Sequence, residues 1–300
     1  MAVEELTAPP REQTRALYPD ESGYVERDGI RLYYEVYGSG EPTVLLLPTW
    51  SLMHSRHWKM QIPYLARHCR VLTFDPRGNG RSDSPREAAA YDEREFAADA
   101  LAVLDETKTE RAVIVGFSLG GQRGLLLAAE HPERVEGAVF IGPSFVGGGE
   151  PSAERVVFDF DTHYDTDEGW AKHNRFYWLR DYSGWVEFFI SKMFPEPHST
   201  KPVEDAVGWG LETDAEIMIA SQDAPSLTPE ESQELCRRVR CPVLVIHGEN
   251  DVLASLSRGT AFAEQTGGEL VVLGGSGHAP HIRNPVKVNL LIREFLESLP

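Results

Sequence analysis

Ala112-Val113-Ile114-Val115-Gly116-Phe117-Ser118-Leu119-Gly120-Gly121 runs an apolar, strand-like segment straight into a serine with a glycine two places to either side. A strand that turns at once into a helix forces its turn residue into a strained backbone conformation. Gly116 and Gly120 carry no Cβ to collide as the two arms close. The pattern predicts a sharp strand–turn–helix bend, with the Ser118 hydroxyl thrust beyond the carboxyl end of a sheet. Leu119 follows at the helix N-terminus, where its amide N–H and the helix dipole favour a developing oxyanion.

A serine hydroxyl is a weak nucleophile until an adjacent base, oriented by a third group, takes its proton. For this bend the acid and then the base follow later strands. The apolar run 242–246 leads into His247-Gly248-Glu249-Asn250-Asp251, and 270–273 leads into Gly274-Gly275-Ser276-Gly277-His278. Asp251 as the acid and His278 as the base can reach the same rim as Ser118. Glu249 and His281 are the competing positions. His54 and His57, at i and i+3 without a third ligand, do not make a metal site and are expected over the pocket mouth. Gly38-Ser39-Gly40 has no helix or lysine placed to cradle a phosphate. No metal and no cofactor is expected.

Outward from this stretch, strand and helix signals alternate. Asp28-Gly29 marks a hairpin between strands near 23–27 and 30–37. Unalternated Val/Ile/Leu runs at 43–47, 71–74, 112–115, 137–141, 242–246 and 270–273 suit a parallel sheet covered on both faces. Helical spacing runs over 92–104, through Phe96, Ala100, Val103 and Leu104. It returns near the last residue, where Val288, Leu291, Ile292, Phe295, Leu296 and Leu299 share a face. Between them, the small residues and leucines of 119–130 predict a deeply buried helix. Thr228-Pro229-Glu230-Glu231 is a capping box with proline at the first helical position. This alternation defines an α/β class.

From residue 145 to 226 the alternation stops. Trp170, Trp178, Trp185 and Trp209 fall here, and Trp185, Phe188, Phe189 and Met193 keep helical spacing. The segment reads as a helical insertion whose aromatics form its own small core, line a cavity against the sheet, or do both. The expected organisation is a tail at 1–20, a core from 21–144 and 227–300, and a cap at 145–226.

The 300 residues carry 29 Lys+Arg against 47 Asp+Glu, a formal net charge of −18. So acidic a chain repels phosphate backbones and anionic headgroups. The expected partner is therefore a small-molecule substrate, with no nucleic acid and no membrane, while homo-oligomerisation stays open. The cysteines, Cys69, Cys236 and Cys241, cannot build a disulfide framework or a zinc ribbon. No run approaches the roughly 18 apolar residues of a membrane helix, and residues 1–20 lack the apolar stretch of a signal peptide. A cytoplasmic location is the expectation.

Taken together, four segments resemble the α/β-hydrolase superfamily, in its cap-bearing serine esterase/lipase-like branch. They are Gly116-Phe117-Ser118-Leu119-Gly120-Gly121, Asp75-Pro76-Arg77-Gly78-Asn79-Gly80-Arg81-Ser82-Asp83, Gly248-Glu249-Asn250-Asp251 and Gly277-His278. The resemblance covers nearly the whole chain from about residue 24. It implies an α/β-hydrolase fold: a mostly parallel eight-stranded sheet covered by helices on both faces, with a helical cap insertion. It also implies that the arginine and aspartate of 75–83 tie that loop down beside the serine. One departure stands out. Relatives carry His-Gly after the third strand, whereas this chain reads Leu47-Pro48-Thr49-Trp50-Ser51. By alignment the Trp50 N–H becomes the second oxyanion donor beside Leu119, although Thr49 is less free than glycine to take a positive φ. Thr49, Ser51, Trp178 and Trp185 are the expected pocket residues.

The activity these residues imply is hydrolysis of an ester-type bond (carboxylic ester, lactone or thioester) in a small, partly apolar substrate. A Ser118–His278–Asp251 triad would act through an acyl-enzyme, as a carboxylesterase does. Two alternatives share the same residues: hydrolysis of a carbon–carbon bond beside a ketone, of the meta-cleavage-product type, and ligand binding without catalysis.

Overall fold

The computed structural model describes residues 15–152 and 158–300. Most of the expected tail lies outside the described residues. Its last part does not trail away: Arg15 pairs with Glu35 and donates to the Tyr37 hydroxyl at 3.0 Å, and the Asp20 N–H donates to Val36 O.

The strands are β1 (Glu21–Arg27), β2 (Ile30–Tyr37), β3 (Thr43–Leu46), β4 (Arg70–Phe74), β5 (Ala112–Phe117), β6 (Val135–Ile141), β7 (Val243–Gly248) and β8 (Glu269–Leu273). They make one sheet in the order β1-β2-β4-β3-β5-β6-β7-β8. β2 runs antiparallel to both β1 and β4, and every other pairing is parallel. Asp28 and Gly29, both at positive φ, close the β1–β2 hairpin as a two-residue turn of the twist-matched kind.

The helices are α1 (Ile62–Leu65), α2 (Glu93–Glu106), α3 (Gly120–Glu130), α4 (Arg175–Arg180), α5 (Tyr182–Met193), α6 (Thr200–Gly210), α7 (Ala215–Gln222), α8 (Pro229–Arg238), α9 (Leu256–Thr266), α10 (Pro280–Arg283) and α11 (Pro285–Ser298). Alternate residues of the central strands enter two separate cores, so both faces of the sheet are buried. Val44, Val113, Val139 and Ile246 pack toward α1 and α11. Leu45, Ile114, Phe140 and Val245 pack toward α2, α3, α8 and α9. Double-sided burial is why these runs are uniformly apolar rather than alternating.

α4 to α7 are inserted between β6 and α8, and their large side chains, Trp178, Trp185, Ile190 and Trp209 among them, join the first core. The expected capping box is present at α8, where Thr228 Oγ1 accepts from the Glu231 N–H and Glu231 Oε2 accepts from the Thr228 N–H. Strand order reverses at β3, with β4 on one side and β5 on the other. Loops leaving the carboxyl ends of β3 and β5 therefore face each other across the crevice where α/β sheets bind ligands. Among the described residues no helix is long and apolar enough to cross a membrane.

Candidate active site

Ser118 follows β5 with φ at +54°, a left-handed conformation that a residue bearing a Cβ rarely adopts. The bend holds because its backbone is fully used. The Ser118 N–H donates to Ile141 O at 3.0 Å, while Ser118 O accepts from the Gly121 and Ser144 N–H groups. A Cβ at Gly116 would stand on the Gly120 carbonyl, so the crossing of strand and helix requires glycine there.

Asp251 and His278 come from the loops after β7 and β8 and meet directly, with His278 Nδ1 2.7 Å from Asp251 Oδ2. The carboxylate is also bound elsewhere. Its Oδ1 accepts from the Leu253 and Ala254 N–H groups, and His247 Nε2 lies 3.3 Å from Oδ2. Burial alone would push the Asp251 carboxyl up. The His278 imidazole and the His247 hydrogen bond outweigh it and hold the group well below the usual carboxylate range. Asp251 is thus a charged, fixed acceptor behind His278. Of the two competitors, Glu249 is exposed and caps the Gly275 N–H, and His281 is buried against His57 at 3.1 Å.

The His278 loop is anchored to the inserted segment, at the end of α5 and the loop after it. The His278 N–H donates to Met193 O at 3.1 Å, at the end of α5, and the Gly277 N–H donates to Glu196 Oε1 at 2.7 Å.

Ser118 and His278 line one cavity of about 240 Å³, together with Thr49, Trp50 and Leu119. Ser118 Oγ makes no hydrogen bond to another described residue, so hydroxyl and imidazole share the wall without being joined. The apolar side of the cavity comes from Leu52, Met53, Phe189, Met193 and Leu253. Neither the Trp50 nor the Leu119 N–H donates to another described group. Thr49 stays out of the positive-φ region that glycine would have allowed.

Three of the expected pocket residues are not on this wall. Ser51 is fully buried and donates to Arg77 O at 2.8 Å, which anchors it to the 75–83 loop. Trp178 and Trp185 are also fully buried, tilted 38° against each other with ring centroids 4.0 Å apart, and lie 6.0 and 5.7 Å from the Trp50 ring. They are core of the inserted helices and back Trp50 from behind, because flat indoles gain more from packing on one another than from facing an open space. His54 and His57 are likewise buried rather than over the mouth. Arg77 ties its loop as the resemblance implied, with a two-pronged bond to Asp99 at 2.6 and 2.8 Å.

Sequence reasoning missed several polar members of the wall, Glu93 and Gln122 among them, and Arg123 and His247 behind it. Arg123 did leave a signal: a cation inside a helix read as buried all round must have a counter-charge. Among the described residues, no group of three or more His, Cys, Asp or Glu side chains could hold a metal ion.

Comparison with known proteins agrees with this fold. The chain is 28% identical to the 2-hydroxymuconate semialdehyde hydrolase of Pseudomonas sp. strain CF600, over 89% of this chain and 91% of that one. It is 28% identical to a pimeloyl-[acyl-carrier protein] methyl ester esterase of Nitrosospira multiformis, over 86% and 95% respectively. Among solved structures it is similar to the esterase RhEst1 of Rhodococcus sp. ECU1013, with a TM-score of 0.77 and 24% identity over 93% of this chain and 99% of that one. Residues 42–285 match the family described as the alpha/beta hydrolase fold, and the chain belongs to that family.

Proposed function

We propose that this protein is a serine hydrolase that cleaves an ester-type bond in a small, partly apolar substrate through an acyl-enzyme. The observation that carries the reading is one cavity shared by the strained Ser118 and by His278, whose imidazole is held by the charged Asp251. Substrate binding would tighten the Ser118–His278 contact, as catalytic hydrogen bonds often do. In the first step Ser118 Oγ attacks the carbonyl while His278 Nε2 takes its proton. Asp251 fixes the proton on Nδ1 and stabilises the imidazolium. The N–H groups of Leu119 and Trp50 receive the oxyanion, and His278 then protonates the leaving alcohol. In the second step the same imidazole activates water, which releases the acid. The inserted helices act as a cap over this chemistry. A cavity of about 240 Å³ falls below the roughly 300–1,000 Å³ of drug-sized pockets, which favours short acyl and alcohol portions. Free cysteines at 69, 236 and 241 accord with a reduced, cytoplasmic setting.

A fluorophosphonate probe tests the reading. Wild-type protein should be labelled once, on Ser118, and should hydrolyse p-nitrophenyl butyrate, with both signals lost in Ser118→Ala. An unlabelled wild type would overturn it. The 28% identity to a semialdehyde hydrolase favours a second reading, carbon–carbon cleavage by the same residues. Inert esters alongside cleavage of a vinylogous diketone would select that one.

A further inference from the structure

Arg123 closes the first turn of α3, a helix otherwise built largely of glycine, alanine and leucine, and is 1% exposed. A guanidinium so buried needs partners on every side. Its Nε donates to Glu93 Oε2 at 2.7 Å, and its plane lies over the Phe96 ring, 3.5 Å from the centroid. Its Nη1 donates to two backbone carbonyls, Pro48 O at 3.0 Å and Thr49 O. Those carbonyls belong to the segment where this chain departs from His-Gly.

The Thr49 carbonyl and the Trp50 N–H are two ends of one peptide unit. That unit is planar and trans, so its oxygen and its hydrogen point in opposite directions. A guanidinium that holds Thr49 O thereby aims the Trp50 N–H the other way, and does so with Thr49 at an ordinary φ. Arg123 is also four residues after Leu119, on the helix that begins at the other donor. One side chain therefore references both N–H groups to a single rigid element. Glu93, on α2, in turn fixes the guanidinium.

We propose that Arg123 is the positioning residue of the oxyanion site: clamping the Pro48 and Thr49 carbonyls, it orients the Trp50 N–H and makes glycine at position 49 unnecessary. The inference rests on the acyl-transfer reading above.

Four measurements test it: kcat and KM on p-nitrophenyl butyrate, and inhibition by a trifluoromethyl ketone and by its methyl ketone counterpart. The first ketone adds to a serine and leaves an oxyanion, whereas the second binds as a neutral carbonyl. In Arg123→Met, kcat should fall by at least about 10-fold, and by at most the roughly 10²- to 10³-fold seen when an oxyanion donor is removed outright. KM should stay within about threefold, since a donor aimed at the transition state leaves ground-state binding alone. Preference for the trifluoromethyl ketone should fall in parallel with kcat, and Arg123→Lys should recover part of both. A folded Arg123→Met with wild-type kcat and ketone preference overturns the proposal, and so does a loss confined to KM. Should Arg123→Met fail to fold, Glu93→Met/Arg123→Met removes both buried charges. Low kcat in that folded double variant supports the clamp, and wild-type kcat overturns it. Fluorophosphonate labelling of the wild type separates the two levels. A labelled wild type with an unimpaired Arg123→Met sinks only the clamp, and an unlabelled wild type sinks the hydrolase reading and the clamp with it.

Discussion

Asp251 illustrates how much one side chain is asked to do: its two oxygens take bonds from two backbone N–H groups and the His278 imidazole, with a second imidazole, His247, 3.3 Å away. Asp251→Asn keeps the shape but replaces an acceptor by an amide that cannot fix the proton on His278 Nδ1. On the proposed mechanism, kcat for p-nitrophenyl esters should fall by about 10³- to 10⁴-fold with KM little changed. A loss below tenfold would remove Asp251 from the mechanism. Gly116→Ala makes a different test, because its Cβ would press on backbone rather than on a side chain that can swing away. It should lower the melting temperature and abolish Ser118 labelling together. Ser118, Asp251 and His278 were legible from the sequence because each sits on the turn or short loop that leaves an apolar strand. Arg123 and Glu93 were not, since their pairing joins positions 30 residues apart on two helices. Spacing rules within one helix reach only three or four residues.

At the scale of elements, α5 carries one wall of the cavity through Phe189 and Met193. Phe189→Ala should enlarge the space on that side. The ratio of kcat/KM for p-nitrophenyl octanoate to that for the acetate should then rise several-fold. An unchanged ratio would place the acyl chain elsewhere. α8 offers a stability test remote from the site. Thr228→Ala removes the capping acceptor and should cost about 1 kcal/mol in urea unfolding, with activity per folded molecule unchanged. Both helices could be read from sequence, one from aromatic periodicity and the other from its cap. Periodicity shows that a face is apolar without showing what covers it. Trp178 and Trp185 were therefore assigned to a pocket although they are interior to the insertion.

The whole molecule has a built-in weakness to acid. His57 and His281 lie against each other in the first core, and burial, followed by the proximity of neighbouring imidazoles, holds both well below the ordinary histidine range. The unfolded chain takes up protons near pH 6.5 that the folded chain refuses. Stability from this source is complete above that pH and is lost as the pH falls below it, by up to about 1.4 kcal/mol per pH unit for each histidine. Urea unfolding at pH 7.5, 6.5 and 5.5 should show the decline, and His57→Gln/His281→Leu should flatten it. An equally steep decline in the double variant would assign it to other groups. Sheet and class were plain from the apolar runs, yet nothing in the sequence joined positions 57 and 281. Only the sheet, by carrying the chain's last quarter back to its first, makes them neighbours.

Met193, at the end of α5, and Glu196, on the loop that follows it, accept the N–H groups of His278 and Gly277. The stretch that shapes the chamber is thus also the stretch that steadies His278. Transplanting a cousin's helices to change selectivity would cut those two stitches unless residues 193–196 are retained. On the proposed mechanism, a chimera designed on chamber shape alone would receive its new guest and then turn it over slowly.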